Sequence, residues 1–343
     1  MRRLVLALGL ILSWATVAPA FEIEEERLFD AGSGAPEVWI LSTTDTEIFA
    51  PLVVAFQMAN PGIAVRYTVA STTEVYKAIA GHEAAFDLVV SSAMDLQMKL
   101  ANDGYAREHR SAETAALPDW ARWRDQLFAF AQEPVVLIAS RPALEGLTLP
   151  RTRADLITLL RDNPERFDGR IGTYDPNRSG AGYLFATQDA RQSDTFWRLT
   201  EVMGGLSPKL YDGSGAMITD VQAGRLALAY NVLGSYAAAQ LAGDPGAVLI
   251  ELEDFTNVLL RTALISRDAT RPELGALFLD FMLSDEGQTL IDRRAGLPRI
   301  DPATLASAGH RRPIRLDPGL LVFVDPLKRQ KFLREWTAAM VRR

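Results

Sequence analysis

The stretch YDPNRSGAGYLF, Tyr174 to Phe185, puts an arginine and a serine directly in front of a glycine-bearing apolar run. Ser179 suits the N-cap of a helix, and Gly180, Ala181 and Gly182 leave its first N–H groups bare of bulky side chains. Such a terminus carries roughly half a positive charge and attracts phosphate or carboxylate. Arg178 could add a bidentate contact to the same anion. The competing reading is plain punctuation: a capped helix, an outward arginine, and glycines used for close packing.

YDGSGAM, Tyr211 to Met217, repeats the device with Ser214 as the expected cap. Three further turns are rich in hydroxyls: Ser42-Thr43-Thr44, Ser71-Thr72 and Ser91-Ser92. After the apolar run LALAYNV, Asn231 and Tyr236 could also hydrogen-bond a ligand, whereas Tyr230 reads rather as a core residue. His82, His109 and His310 stand alone, with no metal-binding spacing. There is no G-x-S-x-G, Walker or dinucleotide fingerprint and no singled-out acid–base pair. We therefore expect no enzyme, no metal site and no cofactor.

The elements that position these turns follow one pattern. VWIL, IAVRYTV and FDLVV are apolar runs that each end in hydroxyls and lead into a helical stretch. Strand, hydroxyl turn and helix, three times over, is the pattern of a parallel α/β sheet. Ligands of open sheets sit beyond the carboxyl ends of the strands, where these hydroxyls fall. The spacing predicts a helix from about Thr46 to Met58, stopped by Asn60-Pro61-Gly62. PVVLIAS, from Pro134, reads as a strand crossing into a second lobe, and VLLRTALISR, Val258 to Arg267, as the return. The expected organisation is a signal peptide over 1–20, a flexible N-terminal arm over 21–36, and a first lobe over 37–132 and 258–325. A second lobe covers 133–257, and an amphipathic helix with a basic face covers 326–343.

At 343 residues the chain exceeds one usual core, so two lobes are the expectation. Arg2 and Arg3, an apolar run to Val17 and Ala18-Pro19-Ala20 have the form of a cleavable export signal, which places the protein in the periplasm. Removing those two arginines takes the net charge from −7 to −9, a balance that disfavours nucleic acid as a partner. The chain has no cysteine, so disulfides, thiolate metal sites and a lipid-anchored cysteine are excluded. A monomer is expected.

With these segments placed, FQMANPGIAVRY, FDLVVSSAMDLQMKLANDGYA, IGTYDPNRSGAGY, GRLALAYN and LSDEGQTLI occur in an order that resembles bacterial periplasmic solute-binding proteins of ABC-transporter type. The resemblance covers residues 37 to 300 and implies the type II fold: two α/β lobes, each a mostly parallel sheet flanked by helices, with hinge strands between them. It implies closure over a small ligand, here expected to be an organic anion such as a phosphorylated compound or a carboxylate. The similarity is nearest to the branch of ferric-iron-binding proteins and the phosphoglycerate transport regulatory protein. Iron binders of that branch use two adjacent tyrosines, where this chain has Ser235-Tyr236; a ferric site through Tyr236, Tyr230 and a carboxylate is thus the rival reading. The implied partner is an inner-membrane ABC permease, or a sensor histidine kinase if the output is signalling.

Overall fold

The computed structural model describes residues 21–341. The expected signal peptide and the last two residues of the chain lie outside the described residues. Strands in chain order are β1 (Glu25–Phe29), β2 (Glu37–Ser42), β3 (Ala64–Val69), β4 (Leu88–Ser91), β5 (Arg122–Trp123) and β6 (Leu127–Ser140). There follow β7 (Ile171–Tyr174), β8 (Lys209–Tyr211), β9 (Leu228–Leu233), β10 (Ala247–Ile250), β11 (Thr256–Ile265) and β12 (Arg311–Pro313).

Strands β3, β2 and β4 run parallel, as the thrice-repeated pattern requires, and β11 closes them antiparallel. In the other lobe β8, β7 and β9 are parallel, with β6 antiparallel to β9. Both sheets are therefore mixed, with parallel centres. The helices form where apolar spacing dictates: Thr46–Ala59 buries Phe49, Leu52, Val53 and Phe56 on one face. It ends at Asn60, just before Gly62 at φ +90°.

The two long strands join the lobes. The first half of β6 pairs with β11, Val258 opposite Pro134, and its second half pairs with β9 from Val135 onward. One apolar core belongs to each lobe and a third spans both, with Met94 and Met98 meeting Leu184 and Phe185.

The segment 21–36, expected to be a flexible arm, is instead tied down. Residues 25–29 form β1, antiparallel to β3 along the sheet edge, and Arg66 bridges Glu26 and Glu37 at 2.9 and 2.5 Å. Phe21 is buried beside Phe86, with ring centroids 6.2 Å apart. An edge strand needs backbone partners more than apolar alternation, and its charges keep the edge from pairing with another chain. The C-terminal helix Pro326–Met340 forms where expected, yet it is not merely solvated. Phe332, Trp336 and Met340 are buried against the helix Thr195–Gly204 of the second lobe.

Candidate functional site

Between the lobes lies a cavity of about 290 Å³. It is walled by the ends of β2, β3, β4, β7, β8 and β9 and the turns that follow them. Residues at the N-caps of four helices line it: Asp45 (helix 46–59) and Ser71 (72–80) from one lobe, Ser179 (180–192) and Gly213 (214–222) from the other. The chain leaves each strand at its carboxyl end, so successive helices aim their positive ends at the same space.

Eight of the residues singled out from sequence line this cavity: Thr43, Ser71, Thr72, Ser92, Ser179, Ala181, Ser214 and Tyr236. Thr43 and Ser92 face each other across neighbouring turns, the Ser92 N–H donating to Thr43 Oγ1 at 3.1 Å. Ser71 caps its helix by accepting from the Glu74 N–H at 3.3 Å. Ser214 is not the cap of its helix; Gly213 is. Its hydroxyl instead accepts from the Leu233 N–H at 2.9 Å and pairs with the Tyr174 hydroxyl at 2.7 Å, which fixes the wall between two turns. The Tyr236 hydroxyl lies 3.5 Å from the Asp45 N–H, and burial pushes the phenol up to about 12, with Arg261 opposing that rise.

The other candidates are placed elsewhere. Ser42 is a buried brace that accepts from Tyr67 at 2.7 Å and from the Thr44 N–H at 3.0 Å. Ser91 accepts from the Ala93 N–H at 3.1 Å. Thr44 accepts from Arg261 Nη1 at 2.6 Å beneath the cavity. Asn231, at φ +63°, donates to Asp189 at 3.0 Å inside the second lobe. Ser42 and Ser91 end their strands facing away from the cleft, while the turn after β2 and the left-handed backbone at Asn231 send Thr44 and Asn231 into the scaffold.

The glycines of SGAG do what the plain reading gives them. A Cβ on Gly182 would stand 2.4 Å from Tyr174 Cβ, and its N–H is taken by Ser179 Oγ at 3.2 Å. A Cβ on Gly180 would meet Leu96 and Thr72 of the opposite lobe at 2.9 Å, and the Gly180 N–H donates to Thr72 Oγ1, also at 2.9 Å. The bare helix end thus seats the other lobe. Arg178 lies outside the cavity: its guanidinium pairs with Asp212 at 2.5 Å beside an adjoining depression, and both side chains are exposed. It is therefore not the inward cation expected from its position in the sequence.

The cation at the floor of the cleft is Arg261. It is 1% exposed, ion-paired to the equally buried Glu133, and its guanidinium carbon is 5.4 Å from the Tyr236 ring centroid. Among the described residues its Nη2 meets no hydrogen-bond partner. Glu133 also accepts from Ser235, so the serine that stands where iron binders place a tyrosine is committed to this buried pair. Tyr230 is committed as well: its hydroxyl donates to Asp189 at 2.7 Å and accepts from Arg153 at 2.8 Å, away from the cleft. The rival ferric set of Tyr236 with Tyr230 is not assembled.

Sequence reasoning missed the acids. Glu24, Asp45 and Asp212 all line the cavity. Asp45 follows a hydroxyl turn and Asp212 precedes a glycine-serine turn, so their placement at strand ends was a usable signal. Glu24 gave none, because its segment read as flexible. Burial, and after it Asp45, Glu22 and Asp212, hold the Glu24 carboxyl above its usual range.

A gap lined by hydroxyls and helix ends, between two lobes that share crossing strands, defines a protein that encloses a small polar molecule. Residues 40–297 match the family model described as bacterial extracellular solute-binding protein, and the chain belongs to that family. It is similar to the substrate-binding protein of an ABC transporter from Agrobacterium tumefaciens, at 35% identity and TM-score 0.89, covering 94% of this chain and 99% of that one. It shares its fold with AfuA of Actinobacillus pleuropneumoniae, solved with fructose-6-phosphate (13% identity, 89% and 98% covered, TM-score 0.72). The same holds for iron-bound HitA of Pseudomonas aeruginosa (17%, 89% and 99%, TM-score 0.67). No curated protein sequence matches this chain. The family is one of solute-binding proteins rather than enzymes, and it implies a small ligand and a permease partner.

Proposed function

We propose that this protein works in the periplasm, capturing a small molecule with an anionic group, phosphate or carboxylate, and delivering it to an inner-membrane ABC permease. The observation that carries this reading is the convergence of four helix N-termini, two from each lobe, on one cavity. Their aligned dipoles favour negative charge, and hydroxyls of Thr43, Ser71, Ser92 and Ser179 supply donors around it. Arg261 adds a positive charge one layer below, behind Tyr236. An anion that touches both walls favours the closed arrangement over the open one, which is the requirement for capture. The volume corresponds to about ten waters at roughly 30 Å³ each, so the guest is small.

Titration calorimetry with ethyl phosphate, glycerol 3-phosphate and propionate tests the reading. Binding of at least one, weakened about tenfold in Tyr236→Phe or Ser92→Ala, is expected. If none of the three binds, the anion reading fails.

A further inference from the structure

The cavity that is proposed to take an anion is lined by three carboxylates, and only one of them has a cation. Asp212 is paired with Arg178. Among the described residues neither Glu24 nor Asp45 makes an ion pair, and no side-chain hydrogen bond satisfies either carboxylate. The cations nearest the cavity are otherwise engaged. Lys77, in the adjoining depression, pairs with Glu74 at 2.5 Å, and Arg329 stands 4.2 Å above the Tyr183 ring. Below the cavity, Arg261 keeps Nη2 without a partner among the described residues while 1% exposed. Its charge is answered by Glu133, so what the site leaves unanswered is the negative charge of two carboxylates.

Resting on the anion reading above, we propose that the guest is a small anion that also bears a protonated amine, and that Glu24 and Asp45 hold its ammonium group. A guest with only a negative charge would be enclosed together with two uncompensated carboxylates, and burying unpaired charge is costly. A hydroxylated anion brings hydrogen-bond donors but no positive charge. A guest of near-zero net charge answers both kinds of group at once: its anionic end takes the helix termini, and its ammonium end takes the acids. Partial burial, and after it the negative charges of Asp45, Glu22 and Asp212, hold the Glu24 carboxyl above its usual range, so the unpaired carboxylates add repulsion to the desolvation.

The test compares ethyl phosphate with phosphoethanolamine, which differ by one amine, and adds ethanolamine alone, all by calorimetry on the full mature chain. We expect phosphoethanolamine to bind at least about tenfold more tightly than ethyl phosphate. In the double variant Glu24→Gln, Asp45→Asn that preference should fall below about threefold. Both side chains are exposed, so folding should be preserved, and an unchanged melting temperature checks it. Equal affinity for the two phosphates, or a preference that survives in the double variant, overturns this inference and leaves the anion reading standing. Failure of both phosphates to bind overturns the inference, and the anion reading falls with it when propionate and glycerol 3-phosphate fail as well; binding of ethanolamine alone overturns both.

Discussion

At the scale of single residues, the polar side chains divide into those that face the guest and those that hold the wall in place. Arg178 shows how an attractive local pattern can mislead: the sequence puts a cation next to a helix start, but the exposed pair with Asp212 leaves it little reach inward. Arg178→Ala is accordingly expected to change the affinity for ethyl phosphate less than about threefold, since exposed pairs contribute roughly 0–1 kcal/mol. Asp95 is the opposite case. It is buried on the helix Met94–Asn102, where the Leu96 N–H donates to its carboxylate at 2.9 Å. Burial drives its carboxyl from an ordinary 3.8 to about 7, opposed by that N–H and by Arg329. A folded-state pKa above the unfolded one means the penalty is absent below the unfolded value. It grows as the pH rises from about 4 to 7 and stays constant beyond, at roughly 4 kcal/mol as an upper bound. Asp95→Asn should thus raise the melting temperature at pH 8 and leave it nearly unchanged at pH 4. Equal gains at both pH values would show that ionisation is not the cause.

At the scale of elements, much of the design was legible. Buried parallel strands are written as mostly apolar runs, and VWIL, IAVRYTV and FDLVV could be placed from that despite Arg66, Thr68 and Asp87, with their hydroxyl turns at the right ends. The crossing and return strands were legible for the same reason. β1 was not, because an edge strand with Glu25, Glu26 and Arg27 exposed carries no alternation for the eye to find. The acids of the cavity were not either: among 43 Asp and Glu residues, only the fold says which face inward. The glycines were legible as special but ambiguous in purpose. Gly204 makes the purpose plain elsewhere: a Cβ there would stand 2.1 Å from the Ala339 carbonyl oxygen, where the C-terminal helix crosses. Gly204→Ala should cost about 1–3 kcal/mol, seen as a lower urea midpoint with an unchanged slope.

At the scale of the whole molecule, the lobes meet directly as well as through the cavity. Thr72 and Thr73 reach across to the Gly180 N–H and the Arg178 carbonyl at 2.9 and 3.1 Å, while Leu96 rests on the side of Gly180 that lacks a side chain. A larger residue at 180 holds the lobes apart. Gly180→Val is expected to weaken capture of ethyl phosphate about tenfold or more and to keep the radius of gyration at its ligand-free value when ligand is added. Small-angle scattering with and without ethyl phosphate reads this out; a normal contraction in the variant would refute the seating role.

The two strands that connect the lobes carry one further implication. Glu133 and Arg261 clasp each other where β6 and β11 run side by side. The β6–β11 ladder shifts register at the clasp itself, between Arg261 and Thr262, and β6 shifts again against β9 between Val136 and Ile138. Irregular pairing at both places interrupts the ladders that carry the chain from one lobe to the other, so a bend between the lobes concentrates beside the buried pair. A change of charge at this pair would therefore act on the hinge and on the field beneath the guest together.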